Sequence, residues 1–426
     1  MSDPDRTAFQ WASGQDESNR ATDTAGDTGS GPGPSRRALL RSGVAVGTVA
    51  ALSAVPGMPA GARTATRTVM FTGCAKDGAV TLVDADTFEH IRSIDVYPDQ
   101  DKEDALNDAV DQVEPVLLNT LVRDNYLEHA NVSPDGRTLY AARGHVGDVI
   151  AVDIETGEKL WETELEGFRA DHQLISSDGD YLYTSDLTMD QIDKIDTETG
   201  AIVARGMVRD LPHGIHYHRI PTLGSGEVLI NGSLGNMLFP DATTGDPLEH
   251  QLTFMDPESM QVLRTMDFEN GVRPMAVTHD GRKIYVQVSY FHGFHEYDSV
   301  EDRITRTKHL PKTEHVPEDE RDYPAQSAHH GIGLSGDGKY ICVAATTGWY
   351  VAIVRRRDLE LVETIPVGEY PYWVQTTPDG VHAFVPVRRD NEVSVISYAD
   401  QEEVARIPTG SHPHVVESED VPEAIL

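Results

Sequence analysis

One pattern of alternating residues recurs seven times along most of the chain, and each copy reads as two short strands joined by an acidic turn. Clear copies are VTLVDADTFEHIRSIDV from Val80, VIAVDIETGEKLWETEL from Val149 and LTFMDPESMQVLRTMDF from Leu252. A second motif lies between these copies and has an apolar strand, an Asp-Gly turn and another strand, as in HANVSPDGRTLYA from His129. Both motifs are typical of β-hairpins, because Asp-Gly supplies the positive φ angles of a tight turn. Two hairpins per repeat therefore predict a four-stranded unit.

Seven four-stranded units predict an all-β fold, a seven-bladed β-propeller. The C-terminal HPHVVES reads as an inner strand without a following hairpin, and RTVMFTG near the N-terminus reads as a strand without an inner neighbour. We therefore expect the N- and C-terminal strands to share one blade and to close the ring, which removes exposed sheet edges. Residues 99–124 have apolar residues at helical spacing and predict a short helical insertion, and residues 311–326 predict a surface loop or lid.

The segment before the repeats predicts export. Residues 1–34 are rich in Ser, Thr, Asp, Gly and Pro, which predicts a disordered extension. Residues 35–62 combine SRRALL, an uncharged apolar run and an Ala-Gly-Ala cleavage site, which indicates a secretory signal, so the propeller would occupy residues 63–426. The apolar run is short for a permanent membrane anchor, the alternative interpretation. SRRALL resembles the twin-arginine (Tat) signal, and this implies export of a folded protein by the Tat machinery to the periplasm or the exterior.

The composition excludes several classes of partner and site. Asp and Glu number 70 against 35 Lys and Arg, for a net charge of −35. Such a surface repels phosphate backbones and anionic lipids, so nucleic acids and membrane surfaces are not expected partners, although the acidity also serves solubility. The two cysteines, Cys74 and Cys342, lie far apart, which excludes a disulfide framework, zinc ribbons and CxxCH haem attachment. We expect both to be buried core residues.

Histidines recur where the chain enters the channel-lining strand in five of the seven predicted blades. Imidazole is a common metal ligand that suits copper, zinc and iron. Several imidazoles meeting near the axis, with almost no thiolate available, therefore favour a copper or zinc site over iron–sulfur. A lone histidine is more often structural, but this recurrence in one register favours a metal site. The predicted ligands are His129, His172, His213, His216, His330 and His414.

Carboxylates and aromatic residues accompany these histidines. Glu128 and Asp171 each precede a predicted ligand, and either carboxylate could orient an imidazole, bind metal or act as a catalytic base. In another blade the same position holds Tyr370, Tyr372 and Trp373, which we expect to line the mouth through which a substrate enters. The sequence leaves open which of the adjacent histidines 329 and 330 faces the channel.

Two resemblances extend this interpretation. The SPDG-containing repeats resemble those of YVTN-type propellers over nearly all of residues 66–420. The histidine ring resembles the catalytic propeller of nitrous oxide reductase and of thiocyanate dehydrogenase, where histidines of successive blades hold several copper ions. This second resemblance implies copper ligands at five positions. They are His129, His172, His213, His330 and His414. The two-cysteine copper motif of a C-terminal cupredoxin domain is missing, so we do not expect a complete nitrous oxide reductase, and the resemblance assigns no substrate.

Three functional hypotheses follow. The first is an exported, copper-dependent oxidoreductase that acts on a small molecule. The second is a non-enzymatic YVTN-type protein that holds a peptide, a glycan or a metal ion at the same face. The third is a lactonase-like hydrolase with a divalent cation such as calcium. The sequence contains no GxSxG elbow, phosphate-binding glycine loop or HExxH motif, so other hydrolase and nucleotide-binding classes are not indicated.

Overall fold

The computed structural model describes residues 65–98, 101–102, 125–235 and 250–426. Within these ranges the chain forms seven four-stranded antiparallel sheets. The innermost strands of neighbouring sheets contact one another in a closed ring, so the sheets are the blades of a propeller and the predicted fold class is confirmed. The predicted N-terminal extension and signal peptide, and nearly all of the predicted helical insertion, lie outside the described residues and stay predictions.

The strands are numbered in chain order. They are β1 (Thr66–Cys74), β2 (Ala79–Asp84), β3 (His90–Asp95), β4 (His129–Val132), β5 (Thr138–Arg143), β6 (Asp148–Asp153), β7 (Lys159–Glu164), β8 (Ala170–Ile175), β9 (Tyr181–Asp186), β10 (Gln191–Asp196), β11 (Ile202–Met207), β12 (Pro212–Arg219), β13 (Glu227–Ser233), β14 (Gln251–Met255), β15 (Val262–Asp267), β16 (Val272–Val277), β17 (Lys283–Val288), β18 (Gly293–Asp298), β19 (Arg303–His309), β20 (Ile332–Leu334), β21 (Tyr340–Ala345), β22 (Tyr350–Arg355), β23 (Glu360–Pro366), β24 (Gln375–Thr376), β25 (His382–Val387), β26 (Glu392–Ser397), β27 (Glu402–Pro408) and β28 (Pro413–Pro422). Short 3₁₀ turns occupy Leu187–Met189, Glu320–Asp322, Pro324–Gln326 and Glu423–Ile425.

Each blade runs outward from the channel in chain order, with one exception. Blades 1 to 6 are β4–β7, β8–β11, β12–β15, β16–β19, β20–β23 and β24–β27. Blade 7 has the order β28-β1-β2-β3, so the last strand of the chain is its inner strand. β28 pairs antiparallel with β1, for example at Phe71 opposite Glu417. The predicted closure of the ring by the two terminal strands is therefore confirmed.

The core lies between the blades. The middle strands of each blade are almost entirely buried on both faces, mainly with apolar side chains, because each face packs against a neighbouring blade. Cys74 and Cys342 are fully buried free thiols among these residues, as expected from the sequence. Burial raises the pKa of the Cys74 thiol to about 11, and it raises the pKa of Cys342 further, so neither thiol is a reactive thiolate.

The Asp-Gly turn of blade 1 has the positive φ angle that its motif predicts. In blade 1 the side chain of Asp135 accepts a hydrogen bond from the Ser133 hydroxyl at 2.6 Å, and Gly136 follows with φ +68°. A Cβ atom at Gly136 would lie 2.3 Å from the carbonyl oxygen of Asp420, so glycine is required there.

The segment 311–326 buries Val316 and Tyr323 and is a packed surface segment. No helix in the described ranges is long and apolar enough to span a bilayer.

Candidate metal centre

Four inner strands carry the same irregularity at the end where they enter the channel. In β8, β12, β16 and β28, two residues oppose one residue of the neighbouring strand, which is a β-bulge. A bulge bends the strand locally and re-aims its side chains. The bulged pairs are Asp171–His172, His213–Gly214, Arg273–Pro274 and His414–Val415. Three of the four bulges thus carry a predicted ligand, and the fourth carries an arginine.

The re-aimed imidazoles meet at the channel entrance. Ring nitrogens of His172, His213 and His330 lie within 4.8 Å of one another, and a second group of the same compactness contains Glu128, His172 and His414. All five side chains are buried. We call these five residues the histidine cluster. His172 belongs to both groups, so the cluster offers two adjacent, overlapping sets of metal ligands.

The ring nitrogens of the cluster fit a metal ion. His172 Nε2, His213 Nδ1 and both ring nitrogens of His330 are buried without a hydrogen-bond partner. Unpaired buried nitrogens are costly in an apolar interior, and coordination to a metal would satisfy them. Burial lowers the pKa values of these three imidazoles well below their ordinary range, and it lowers the pKa of His414 to about 4. The imidazoles are therefore neutral at pH 7, which is the form that binds metals.

Arg169 orients both predicted carboxylates. Its Nη2 atom lies 2.8 Å from Glu128 Oε2, and its Nε atom lies 3.1 Å from Asp171 Oδ2. The Asn125 amide also donates to Glu128 Oε2. The other carboxylate oxygen, Oε1, is left facing the cluster, 3.2 Å from His414 Nε2 and 4.0 Å from His172 Nε2. Glu128 thus lies where a metal ligand would be.

The two carboxylates have opposite pKa shifts. Burial by itself would raise the pKa of Glu128, but the charge of Arg169 and the interaction with His414 outweigh it and hold that pKa well below its ordinary value. Burial, reinforced by the negative charge of Glu128, raises the pKa of Asp171 to about 6 despite the opposing effect of Arg169. Glu128 is therefore a permanent carboxylate at neutral pH, and Asp171 is the carboxyl that can exchange a proton there.

Two predicted ligands lie outside these groups. His129 Nδ1 is 2.9 Å from His172 Nδ1, and His129 Nε2 is 3.2 Å from Glu417 Oε1, so His129 connects the cluster to the channel. His216 lies further along β12 and lines a channel cavity of about 410 Å³, together with His129, Glu417 and Trp373. The sequence predicted six histidines as metal ligands. The structure brings four of them together, with one beside them and one deeper in the channel.

The predicted mouth aromatics form a wall of the cluster. The Tyr372 ring stacks on His330 with centroids 3.9 Å apart, and the Trp373 ring stacks on His172 at 5.2 Å. Tyr370 stacks outside Tyr372 at 6.0 Å. Tyr372 is buried, whereas Tyr370 and Trp373 are partly exposed and can line the mouth as predicted. The wall limits the access of water to the imidazoles on this side.

The structure also answers the open question of the adjacent histidines. His330 faces the cluster, whereas His329 Nε2 lies 2.5 Å from His292 Nδ1 and points away from it. Sequence reasoning did not assign a role to Arg169, Arg273 or Glu417. The one available signal was Arg273-Pro274, which stands at the strand entrance where other blades have histidine.

More than half of the chain matches a known protein family in sequence. The model of the family described as outer membrane protein assembly factor BamB matches residues 47–205 and 143–288, which together span more than half of the 426-residue chain. The chain belongs to this BamB family. No curated protein matches it in sequence. The YVTN-type repeat proposed from the motifs is not shown by these matches, although the propeller is.

Solved structures resemble this BamB-family chain in fold. Kuenenia stuttgartiensis hydrazine synthase is 18% identical, with a TM-score of 0.54 over 68% of this chain and 88% of that chain. Dihydro-heme d1 dehydrogenase NirN in complex with DHE is 14% identical, with a TM-score of 0.50 over 82% of this chain and 74% of that chain. At these identities the likeness concerns the fold alone.

Proposed function

We propose that the protein is a metal-dependent oxidoreductase whose histidine cluster holds copper at the channel entrance. One observation carries the proposal. Four buried, neutral imidazoles and one carboxylate converge from five different blades, and several of their nitrogens have no partner in the protein. Such a set has no evident packing role, because apolar residues would fill the same space at lower cost.

The donor set supports copper over a hard cation. Calcium and magnesium prefer oxygen ligands, whereas the cluster offers mainly imidazole nitrogen. This weighs against the lactonase-like hypothesis with calcium. Zinc accepts the same ligands as copper, but it is not redox-active, so the metal that binds decides between an oxidoreductase and a hydrolytic or purely binding role.

The residues around the cluster support a reaction that moves protons. When bound, copper would supply one-electron redox chemistry. Asp171, whose pKa is raised to about 6, can hold or release a proton near neutral pH beside His213, whose Nε2 lies 3.9 Å from Asp171 Oδ1. Arg169 fixes the carboxylate of Glu128, and the wall of Tyr372 and Trp373 keeps water from this side of the site. These side chains provide binding, orientation and proton exchange.

The proposal includes a location outside the cytoplasm. It is supported by the twin arginines Arg36 and Arg37, which lie outside the described residues. Replacing both with lysine should retain the protein in the cytoplasm of the producing cell, because Tat recognition needs the arginine pair. Export of the double variant at the wild-type level would contradict this part of the proposal.

The test of the central proposal is the metal content of the exported protein, measured by mass spectrometry together with an EPR spectrum. Stoichiometric copper with hyperfine structure from imidazole nitrogen is the expected result. His172→Ala should lose the metal, because His172 belongs to both ligand groups. His279→Ala is the matched control, since His279 is exposed in an Asp-Gly turn. Unchanged copper in His172→Ala, or no stoichiometric copper after reconstitution, would refute the proposal.

A further inference from the structure

The channel below the histidine cluster carries further metal-binding side chains that the cluster does not use. β12 begins at the cluster with His213 and continues to Arg219, which packs against Gly281 in the Asp-Gly turn of blade 4 at the opposite face. His216 and His218 lie on the same side of this strand, about 7 Å apart, because side chains alternate along a strand. β12 therefore carries imidazoles from the cluster to the far end of the channel.

Each of these two imidazoles faces a cavity. His216 lines the channel cavity of about 410 Å³, and His218 lines a second cavity of about 490 Å³ at the Asp-Gly turns of blades 4 and 5. Leu334 borders both cavities, so the two lie next to each other. The pKa of His216 is lowered to about 4 by burial and by the nearby imidazoles of His218 and His129. His216 is thus a neutral imidazole that lies near both of them.

The channel cavity reaches the cluster at His129. The Nδ1 atom of His129 lies 2.9 Å from His172 Nδ1, and its Nε2 atom lies 3.2 Å from Glu417 Oε1. Asn131 follows on the same face of β4 and borders the cavity. Its side chain is 6% exposed, and its Oδ1 atom has no hydrogen-bond partner among the described residues. The cavity wall therefore offers nitrogen and oxygen ligands one step away from the cluster.

The charge of the cavity wall favours a cation. Among the described residues that line the cavity, Glu417 is the one acidic or basic residue other than histidine, and its side chain is 27% exposed. The five side chains of the cluster are at most 4% exposed, and Tyr372 and Trp373 cover imidazoles on the mouth side. A metal ion thus meets a negative charge and ligands on the channel side, but an aromatic wall at the mouth.

We infer that the channel is the route by which the metal ion reaches the cluster, with a transfer site of His129, Glu417 and Asn131 at its inner end. The inference rests on the proposed metal centre and adds how that centre is loaded. His218 takes up the ion, His216 passes it on, and the transfer site delivers it to the cluster. Each step exchanges one ligand for another without a change of oxidation state. Transfer requires sites that bind weakly enough to release the ion, and the few ligands at each step meet this requirement.

The experiment measures the rate at which Cu²⁺ enters the exported, metal-free protein. Stopped-flow absorbance follows loading, mass spectrometry gives the final copper content, and a competition titration gives the copper affinity. The variants are Glu417→Gln, Asn131→Leu, His216→Ala and His216→Phe. His382→Phe is the matched control, because His382 is a partly buried histidine beside the Asp-Gly turn of blade 6 and lines neither of the two cavities.

A route built from ligands and a plain opening give different loading rates. Glu417→Gln should slow loading about tenfold, because a steering charge raises association rates by about 10-fold or more, and the slowing should shrink at high salt. His216→Ala and His216→Phe should both slow loading, since each removes the imidazole, whereas in a plain opening the smaller alanine would speed it. Asn131→Leu should also slow loading, and His382→Phe should not change it.

The rate of copper release separates a route from a structural role. A residue on the route changes entry and exit by the same factor, so removal of copper by EDTA from His216→Ala should slow as much as loading does, at unchanged copper affinity. In Glu417→Gln, loading should slow by more than the affinity falls. Wild-type loading rates in Glu417→Gln and in both His216 variants would overturn the inference, as would faster loading of His216→Ala or an affinity loss that fully accounts for slower loading.

Failure of the proposed function is recognised separately. If the wild-type protein binds Zn²⁺ but not Cu²⁺, the redox proposal fails, and the loading rates are measured with Zn²⁺ and a colorimetric zinc chelator. Slower Zn²⁺ loading of the same variants would then still support the route. If the wild type takes up neither ion, the inference falls together with the proposed metal centre.

Discussion

Replacing His330 with phenylalanine should stabilise the metal-free protein and remove most of the stabilisation that metal provides. The His330 ring is 1% exposed, and neither of its nitrogens has a hydrogen-bond partner. It stacks on Tyr372 with an angle of 10° between the rings. A phenyl ring keeps this stack and removes two unpaired polar atoms from the interior.

The magnitude follows from these contacts. Each unsatisfied buried polar atom costs about 1–3 kcal/mol, so removing two is worth about 2–6 kcal/mol. The larger phenyl ring costs about 1–3 kcal/mol in a packed site. At the midpoints of these two ranges, the net gain in the free energy of unfolding of the metal-free protein is about 2 kcal/mol. Metal at a thousand times its dissociation constant should add about 4 kcal/mol to the wild type. It should add less than about 2 kcal/mol to the variant, which keeps only the ligand group of Glu128, His172 and His414. The order of stability of the two proteins should thus reverse when metal is added.

The assay is urea-induced unfolding, with EDTA and then with copper. His329→Phe is the control, because His329 Nε2 lies 2.5 Å from His292 Nδ1 and loses that interaction on substitution. This control should be destabilised in both conditions and should keep the gain from copper. If His330→Phe is less stable than wild type in EDTA, the imidazole nitrogens are satisfied in the fold and the reasoning is refuted. If copper stabilises the variant as much as it stabilises the wild type, His330 is not a ligand.

Three further predictions concern other parts of the molecule. In EDTA, the free energy of unfolding should fall as the pH decreases from 6.5 to about 4. Burial lowers the folded-state pKa of His414 from 6.5 to about 4, so the unfolded chain takes up the proton first. His414→Gln should therefore reduce the proton uptake on unfolding, measured by calorimetry at pH 5, by about one proton. Glu128→Gln should weaken copper binding at least about tenfold in a competition titration, because it removes the charge of a ligand while Asp171 still pairs with Arg169. Unchanged copper affinity would exclude Glu128 as a ligand. Val416→Asp should lower the free energy of unfolding, measured with urea, by more than about 3 kcal/mol, because it buries a carboxylate in the strand that closes the ring. A smaller loss would mean that ring closure contributes little to the stability of the protein.

The seven-bladed propeller could be predicted from local patterns in the sequence. Alternation with a period of two and Asp-Gly turns are local properties. Six of the seven blades are assembled from consecutive strands, so repetition was enough to predict the blades. The closure by β28 and β1 also followed, because an inner strand without a hairpin and a hairpin without an inner strand remained at the two ends. The recurrence of histidine at strand entrances predicted where in the fold a site would lie.

Which side chains form the site depends on how the strands pair and how the ring closes. A bulge shifts the register by one residue, and on a strand this reverses the side to which a side chain points. The bulges therefore selected His172, His213 and His414 for the cluster, whereas His216, further along β12, was left in the channel. The pairing of Glu128 with His414, which lie at opposite ends of the propeller sequence, depends on ring closure and is invisible to local patterns. Arg273 stands at a strand entrance in the sequence, but only the fold brings its charge close enough to act on His213 and His330.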